Sequence, residues 1–177
     1  MFLDRDGVLN KPCIRGNKAY APLSLDRFEI FPEAPAIVGR LRSNGFVVAV
    51  VSNQPELSRG NLEKATLDAM HKLLAHTISV AGIYVCPHDE GDDCDCRKPL
   101  SGLLVTASRE LGLNLSQSFM IGDTWRDIGA GNNAGCQTVL IDRPYSGQTD
   151  PTWRARDLAH AADIVLSEVK KLVPSWL

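Results

Sequence analysis

The chain contains no apolar run approaching the ~18 residues that cross a bilayer, so a membrane-spanning protein is not expected. Neither sign of charge dominates. Nineteen Lys and Arg stand against 21 Asp and Glu, a net charge of -2, which lacks the cationic excess of a general nucleic-acid binder. A secretory leader is not expected either, since Met1, Phe2 and Leu3 meet Asp4 at once, with no basic stretch and apolar segment ahead of it. There is no internal repeat and no low-complexity segment. The five cysteines are not spread as a disulfide framework: Cys86, Cys94 and Cys96 fall within eleven positions beside His88, and Cys13 and Cys136 read as free thiols. The expected setting is reducing and cytoplasmic.

With 44% hydrophobic and 23% charged residues the composition is that of an ordinary globular chain, and 177 residues suggest one domain spanning 1–177. A chain of this length buries roughly two-thirds of its unfolded surface, enough for a core without disulfides. Short apolar runs rich in β-branched residues recur at Phe2-Leu3, Phe46 to Val51, Ile83 to Val85, Phe119 to Ile121, Thr138 to Ile141 and Ile164 to Leu166. Most do not alternate with polar residues, which predicts strands buried on both faces. Between them, Leu67, Met70, Leu74 and Ile78, and then Leu104, Ala107 and Leu111, keep helical spacing. Gly45, Gly82 and Gly112 stand where left-handed residues would close helices. The pattern predicts an α/β fold, a parallel sheet with helices on both faces. Asp142 to Asp157, with Pro144, Gly147 and Pro151, is the longest expected loop. Only three residues precede Asp4, short for a central strand and consistent with a trimmed or renumbered N-terminus.

In such sheets, ligands bind beyond the carboxyl ends of the strands. Four of the predicted strands lead there into polar residues: Asp4-Arg5-Asp6-Gly7, Ser52-Asn53-Gln54, the cysteine-rich loop to Arg97-Lys98-Pro99, and Gly122-Asp123. Asp4 and Asp6 lie two apart, and a turn at Gly7 would bring both carboxylates to one crevice. Their repulsion is relieved by a hard cation such as Mg²⁺, which takes one or two carboxylates together with phosphate oxygens. Ser52 and Asn53 offer donors to phosphate without added charge. Lys98 supplies a positive charge against a phosphoryl group, on a loop stiffened by Pro99. Asp123 and Asp127 are four apart, on one side of a following helical turn, so that one can ligate metal while the other orients Lys98.

These positions, in this order, resemble the haloacid dehalogenase superfamily of phosphohydrolases. The motifs are D-R-D-G at Asp4 to Gly7, Ser52 after a hydrophobic strand, Lys98 before a proline, and G-D-T-W-R-D at Gly122 to Asp127. The resemblance spans roughly Phe2 to Ile141. It implies that Asp4 is a nucleophile forming an aspartyl-phosphate and that Asp6 is the general acid and base. It further implies Mg²⁺ held by Asp4, the carbonyl of Asp6 and Asp123, with Lys98 neutralising phosphoryl charge and Ser52 donating a hydrogen bond.

A second set is C-P-H at Cys86 to His88 followed by Cys94-Asp95-Cys96, three thiolates and one imidazole. Four protein ligands leave no open position, so this reads as a structural zinc site, ordering a loop with almost no apolar residues to pack and presenting Arg97 and Lys98. Combined with D-R-D-G, S-N-Q and C-D-C-R-K-P, it narrows the resemblance to the zinc-loop branch of the superfamily. That branch holds heptose 1,7-bisphosphate phosphatases and the histidinol-phosphate phosphatase half of bifunctional enzymes. It implies no large cap domain, and neither Gly7 to Val47 nor Leu62 to Ala81 has room for one. Arg97 would be an added phosphate or sugar contact. Two features depart from the branch pattern: Ser52-Asn53-Gln54-Pro55-Glu56 replaces a more usual T-N-Q-S-G, and Trp125 follows the last motif's Asp and Thr.

The expected partner is a small phosphate ester acted on by a monomer, with no nucleic acid or membrane. The leading substrate expectation is D-glycero-D-manno-heptose 1,7-bisphosphate, cleaved at C7. The alternatives are histidinol phosphate, a polynucleotide 3'-phosphate, which would call for a basic stripe, and an inactive phosphosugar-binding module. His71, His76 and His160 read as solvated, Trp153 and Trp176 as packing residues, and Arg15, Lys18 and Tyr20 as a wet loop.

Overall fold

The computed structural model describes residues 1–172, and Trp176 lies outside the described residues. Six parallel strands form one sheet: β1 (Phe2–Leu3), β4 (Ala49–Asn53), β5 (Gly82–Cys86), β6 (Phe119–Gly122), β7 (Gln137–Ile141) and β8 (Trp153–Ala155). Their order is β5-β4-β1-β6-β7-β8. The two-residue β1 is central, with Phe2 opposite both Ala49 and Met120, and Leu3 opposite Val50 and Ile121. Strands β2 (Cys13–Arg15) and β3 (Lys18–Tyr20) form a separate antiparallel hairpin between β1 and α1 (Ala34–Ser43). The remaining helices are α2 (Lys64–Thr77), α3 (Gly102–Leu111), α4 (Trp125–Ala134) and α5 (Leu158–Leu172).

Side chains alternate across each strand, and both faces are covered. Leu3, Val50, Ile121 and Val139 pack with Val38, Leu41, Met70, Leu74, Ala161 and Val165 of α1, α2 and α5. Phe2, Ala49, Val51 and Met120 pack on the opposite face with Leu103, Leu104, Ala107 and Ala130 of α3 and α4. This is the α/β architecture that the sequence predicts, and among the described residues no large cap interrupts it.

Three local expectations are corrected. Ile164 to Leu166 is not a strand but part of α5, because Leu158, Ala161, Ala162 and Val165 repeat at helical spacing and bury one face. The Asp142 to Asp157 stretch contains β8, which an exposed Arg154 between Trp153 and Ala155 conceals. Gly82 opens β5 rather than closing a helix, since α2 ends at Thr77 and Ile78 is already extended. Gly45 and Gly112 follow their helices with positive φ as expected. Among the described residues no helix is long and apolar enough to cross a membrane.

Candidate active site

The ends of β1, β4 and β6 and the loop after β5 converge. Lys98, 2% exposed, donates from Nζ to Asp4 Oδ1 at 2.6 Å, to the Val51 carbonyl at 2.9 Å and to Asp127 Oδ1. Asp4, Asp123 and Asp127 are all buried, and each offers an oxygen within 4.8 Å of the others. Gly7 permits this closeness: its φ is +96°, and a Cβ there would fall 1.8 Å from Asp123 Oδ2. Gly122 likewise lets α4 approach, as its Cβ would fall 2.1 Å from that of Asp127.

Three carboxylates around one ammonium are short of positive charge. Burial pushes Asp4 up to about 7 against the pull of Lys98, with Asp127 and Asp6 adding to the rise. Burial and the charges of Asp4 and Asp127 also hold Asp123 well above the usual carboxylate range. Burial opposes the charge on Lys98, yet Asp127 and Asp4 outweigh it and keep the ammonium protonated.

The donor set fits a divalent cation. Asp123 Oδ1 is buried with no hydrogen-bond partner, an arrangement that protein interiors avoid unless something else satisfies the atom. Its other groups are fixed: Tyr145 donates to Oδ2 at 2.8 Å and Ser146 Oγ to the carbonyl at 2.7 Å. Asp127 is committed elsewhere, Oδ1 to Lys98 and Oδ2 to the amide and hydroxyl of Thr124, a capping box that starts α4.

Asp6 is gripped by four N–H groups. Arg5 Nη2 and Asn10 Nδ2 donate to Oδ1 at 3.0 and 2.9 Å, and Arg5 Nε and Gln54 Nε2 donate to Oδ2 at 3.1 and 2.8 Å. Arg5 is wholly buried, stacked over Phe28 and bonded through Nη1 to His71 Nε2 at 3.1 Å. Burial, then the charge of Arg5, pushes His71 down to about 4, so its ring is neutral and accepts that bond. Gln54 also donates to Ser52 Oγ at 2.8 Å, leaving the serine hydroxyl proton available. Asn53 holds the Lys98 backbone at both amide ends, 3.0 Å each.

Beside this crevice, Cys86, His88, Cys94 and Cys96 bring one ligand atom each within 4.8 Å. The Cys86 and Cys94 sulfurs are 3.9 Å apart, and His88 Nδ1 lies 3.3 Å from Cys96 Sγ and 3.7 Å from Cys86 Sγ. Tetrahedral Zn–S bonds of about 2.3 Å space two sulfurs by roughly 3.8 Å, so this set fits zinc. Burial raises the Cys86 and Cys96 thiols, which makes a cation the natural counterweight to their thiolates. Arg97 donates to the His88 carbonyl at 2.8 Å, and a cavity of about 390 Å³ is lined by Glu90, Arg97, Lys98, Trp125 and Arg126.

Residues singled out from sequence thus meet in two adjoining clusters. The sequence does not single out Arg5, Asn10, Gln54 or Tyr145 for the site, and His71, expected to be solvated, is instead half-buried against Arg5. Gln54 had a signal, lying two residues after Ser52 and so on the same side of an extended chain. Arg5 gave one as well, a charged residue between two strand-end aspartates. Tyr145 lies in a loop of unrelated polar residues and gave none.

The chain is similar to proteins of one family. A HAD-hydrolase-like family model matches residues 95–172. The D-glycero-beta-D-manno-heptose-1,7-bisphosphate 7-phosphatase of Pseudomonas aeruginosa is 36% identical over 146 residues, covering 80% of this chain and 79% of that protein. The enzyme of the same name from Bordetella bronchiseptica is 31% identical over 180 residues, covering 95% and 98%. A crystal structure of the D,D-heptose 1,7-bisphosphate phosphatase of B. bronchiseptica, complexed with magnesium and phosphate, matches with a TM-score of 0.83 at 30% identity, covering 95% of this chain and 98% of that one.

Proposed function

From the premise that this chain belongs to the haloacid dehalogenase-like phosphatases and is a phosphoric monoester hydrolase, we propose that it removes the 7-phosphate of D-glycero-D-manno-heptose 1,7-bisphosphate. The observation that carries the reading is Asp4, buried between the Lys98 ammonium and the unpartnered Asp123 Oδ1. Relatives matching over most of their length bear the heptose bisphosphatase name, which favours this substrate over histidinol phosphate.

Asp4 attacks phosphorus through a carboxylate oxygen and the bond to the sugar oxygen breaks, leaving an aspartyl-phosphate and an alkoxide. Asp6, which must enter this step carrying a proton on one of its oxygens, gives that proton to the alkoxide and then takes one back from the water that attacks the phosphoryl group, so Asp4 and free phosphate are regenerated. To do so, Asp6 exchanges part of its present grip, most readily the Gln54 amide, for the substrate oxygen. Lys98 and the Ser52 hydroxyl hold phosphoryl oxygens, while Asp127 and Asn53 keep Lys98 in position. Mg²⁺, held by Asp4, Asp123 and the Asp6 carbonyl, would neutralise phosphoryl charge as a Lewis acid. Zn²⁺ on Cys86, His88, Cys94 and Cys96 would fix the loop carrying Arg97, which contacts the substrate's remaining polar groups.

The test is phosphate release from both heptose 1,7-bisphosphate anomers and from histidinol phosphate, with and without Mg²⁺. A heptose preference above about tenfold in kcat/KM, dependent on Mg²⁺, is expected. Equal or greater turnover of histidinol phosphate overturns the substrate, and undiminished turnover without divalent cation overturns the metal.

A further inference from the structure

Glu90, on the loop between His88 and Cys94, reaches into the cavity beside Lys98. Its Oε1 lies 2.6 Å from Arg126 Nη2 and 3.7 Å from Arg97 Nη2. One carboxylate oxygen therefore stands between two guanidinium groups. Each guanidinium is anchored without Glu90: Arg97 by the His88 carbonyl, Arg126 by stacking 4.8 Å over the Trp125 ring. Trp125 is in turn held through its backbone amide, which donates to the Ser146 carbonyl at 2.8 Å. The glutamate is the loose member, its side chain 66% exposed against 12% for Arg97.

We propose that Glu90 occupies the seat of the substrate's second anion, and that Arg126, on its Trp125 platform, determines preference for a doubly phosphorylated substrate. The inference rests on the bisphosphate reading above and names residues which that reading does not use. An exposed carboxylate–guanidinium pair contributes little and is easily exchanged. A phosphate dianion presents more charge and three oxygens to the same two planar forks, and displaces the glutamate. The cavity that holds this clamp is also lined by Lys98, whose ammonium donates to Asp4, so the clamp and the reacting carboxylate adjoin the same residue.

The experiment compares kcat/KM for heptose 1,7-bisphosphate with that for p-nitrophenyl phosphate, which has no second anion, in wild type, Arg126→Gln and Glu90→Gln, each checked for zinc content. Arg126→Gln is expected to lower the ratio about tenfold through KM, and Glu90→Gln to raise it severalfold by vacating the seat. If either variant leaves the ratio within about twofold of wild type, the clamp is overturned. If wild type itself shows no preference for the bisphosphate, the substrate reading fails first and the clamp falls with it.

Discussion

The crevice around Asp4 and the loop from Cys86 to Lys98 meet at one residue but are made differently. The first is held largely by groups the fold itself supplies: Asp4 by Lys98, Lys98 by Asp127 and Val51, and Asp123 Oδ2 by Tyr145 with its carbonyl held by Ser146. The loop has almost no buried apolar side chain of its own between Pro87 and Arg97, and instead gathers four potential ligand atoms at a point. One region takes its form from a packed sheet, whereas the other gathers a set of side chains that fits a cation in place of packing. Lys98 joins them, so the loop that carries the thiol and imidazole cluster also delivers the ammonium to the crevice.

Replacing Asp4 with Asn should lower kcat by at least about 10³-fold while circular dichroism stays native, because the crevice would lose the proposed nucleophile and not its frame. Retained turnover in the purified variant would refute the role. Next in size, Cys96→Ser should reduce bound zinc below stoichiometry, open the loop to proteolysis near residues 89–95, and cost up to ~10² in kcat/KM through misplacement of Lys98. Full activity with zinc absent would erase the contrast between the two regions. Tyr145→Phe probes the crevice more finely. Asp123 Oδ2 loses its donor, and affinity for Mg²⁺, read by titration of thermal stability, should weaken by about tenfold with the fold unchanged. An unaltered titration would show that Ser146 and Gly7 suffice to orient Asp123.

The smallest effect is one of sign. Unfolded Asp4 loses its proton near 3.8 and folded Asp4 near about 7, so between these values the folded state holds the extra proton. Its contribution therefore turns against stability as pH rises through that window. The stability of Asp4→Asn relative to wild type, measured without added Mg²⁺, should grow from pH 4 to pH 7 and shrink when Mg²⁺ is supplied. A difference flat with pH would sink this account.

Five of the six sheet strands were legible because they rest on short apolar runs, β8 with its exposed Arg154 being the exception, and the crevice was legible because its polar residues sit where those runs end. The strand expected at Ile164 to Leu166 was misread from three apolar neighbours, while the buried stripe from Leu158 to Val165 follows the longer period of a helix. Residues holding others in place were hardest to see. His71 lies on α2, 66 positions from the Arg5 it contacts, and Tyr145 lies 22 from Asp123. Neither distance leaves a trace in local spacing. The motif marks atoms that do chemistry, whereas their supports are recruited from wherever the folded chain happens to pass.

Strand β1 has just two residues, and they face opposite ways: Leu3 belongs to the core beneath α1, α2 and α5, and Phe2 to the core beneath α3 and α4. Asp4 follows immediately, so its backbone has no slack with which to absorb a shift on either side of the sheet. A methyl group gained or lost far from the crevice in either layer is felt there as a displaced reacting atom. Substitutions that look purely mechanical should for that reason appear first as slower turnover, before any change in melting temperature.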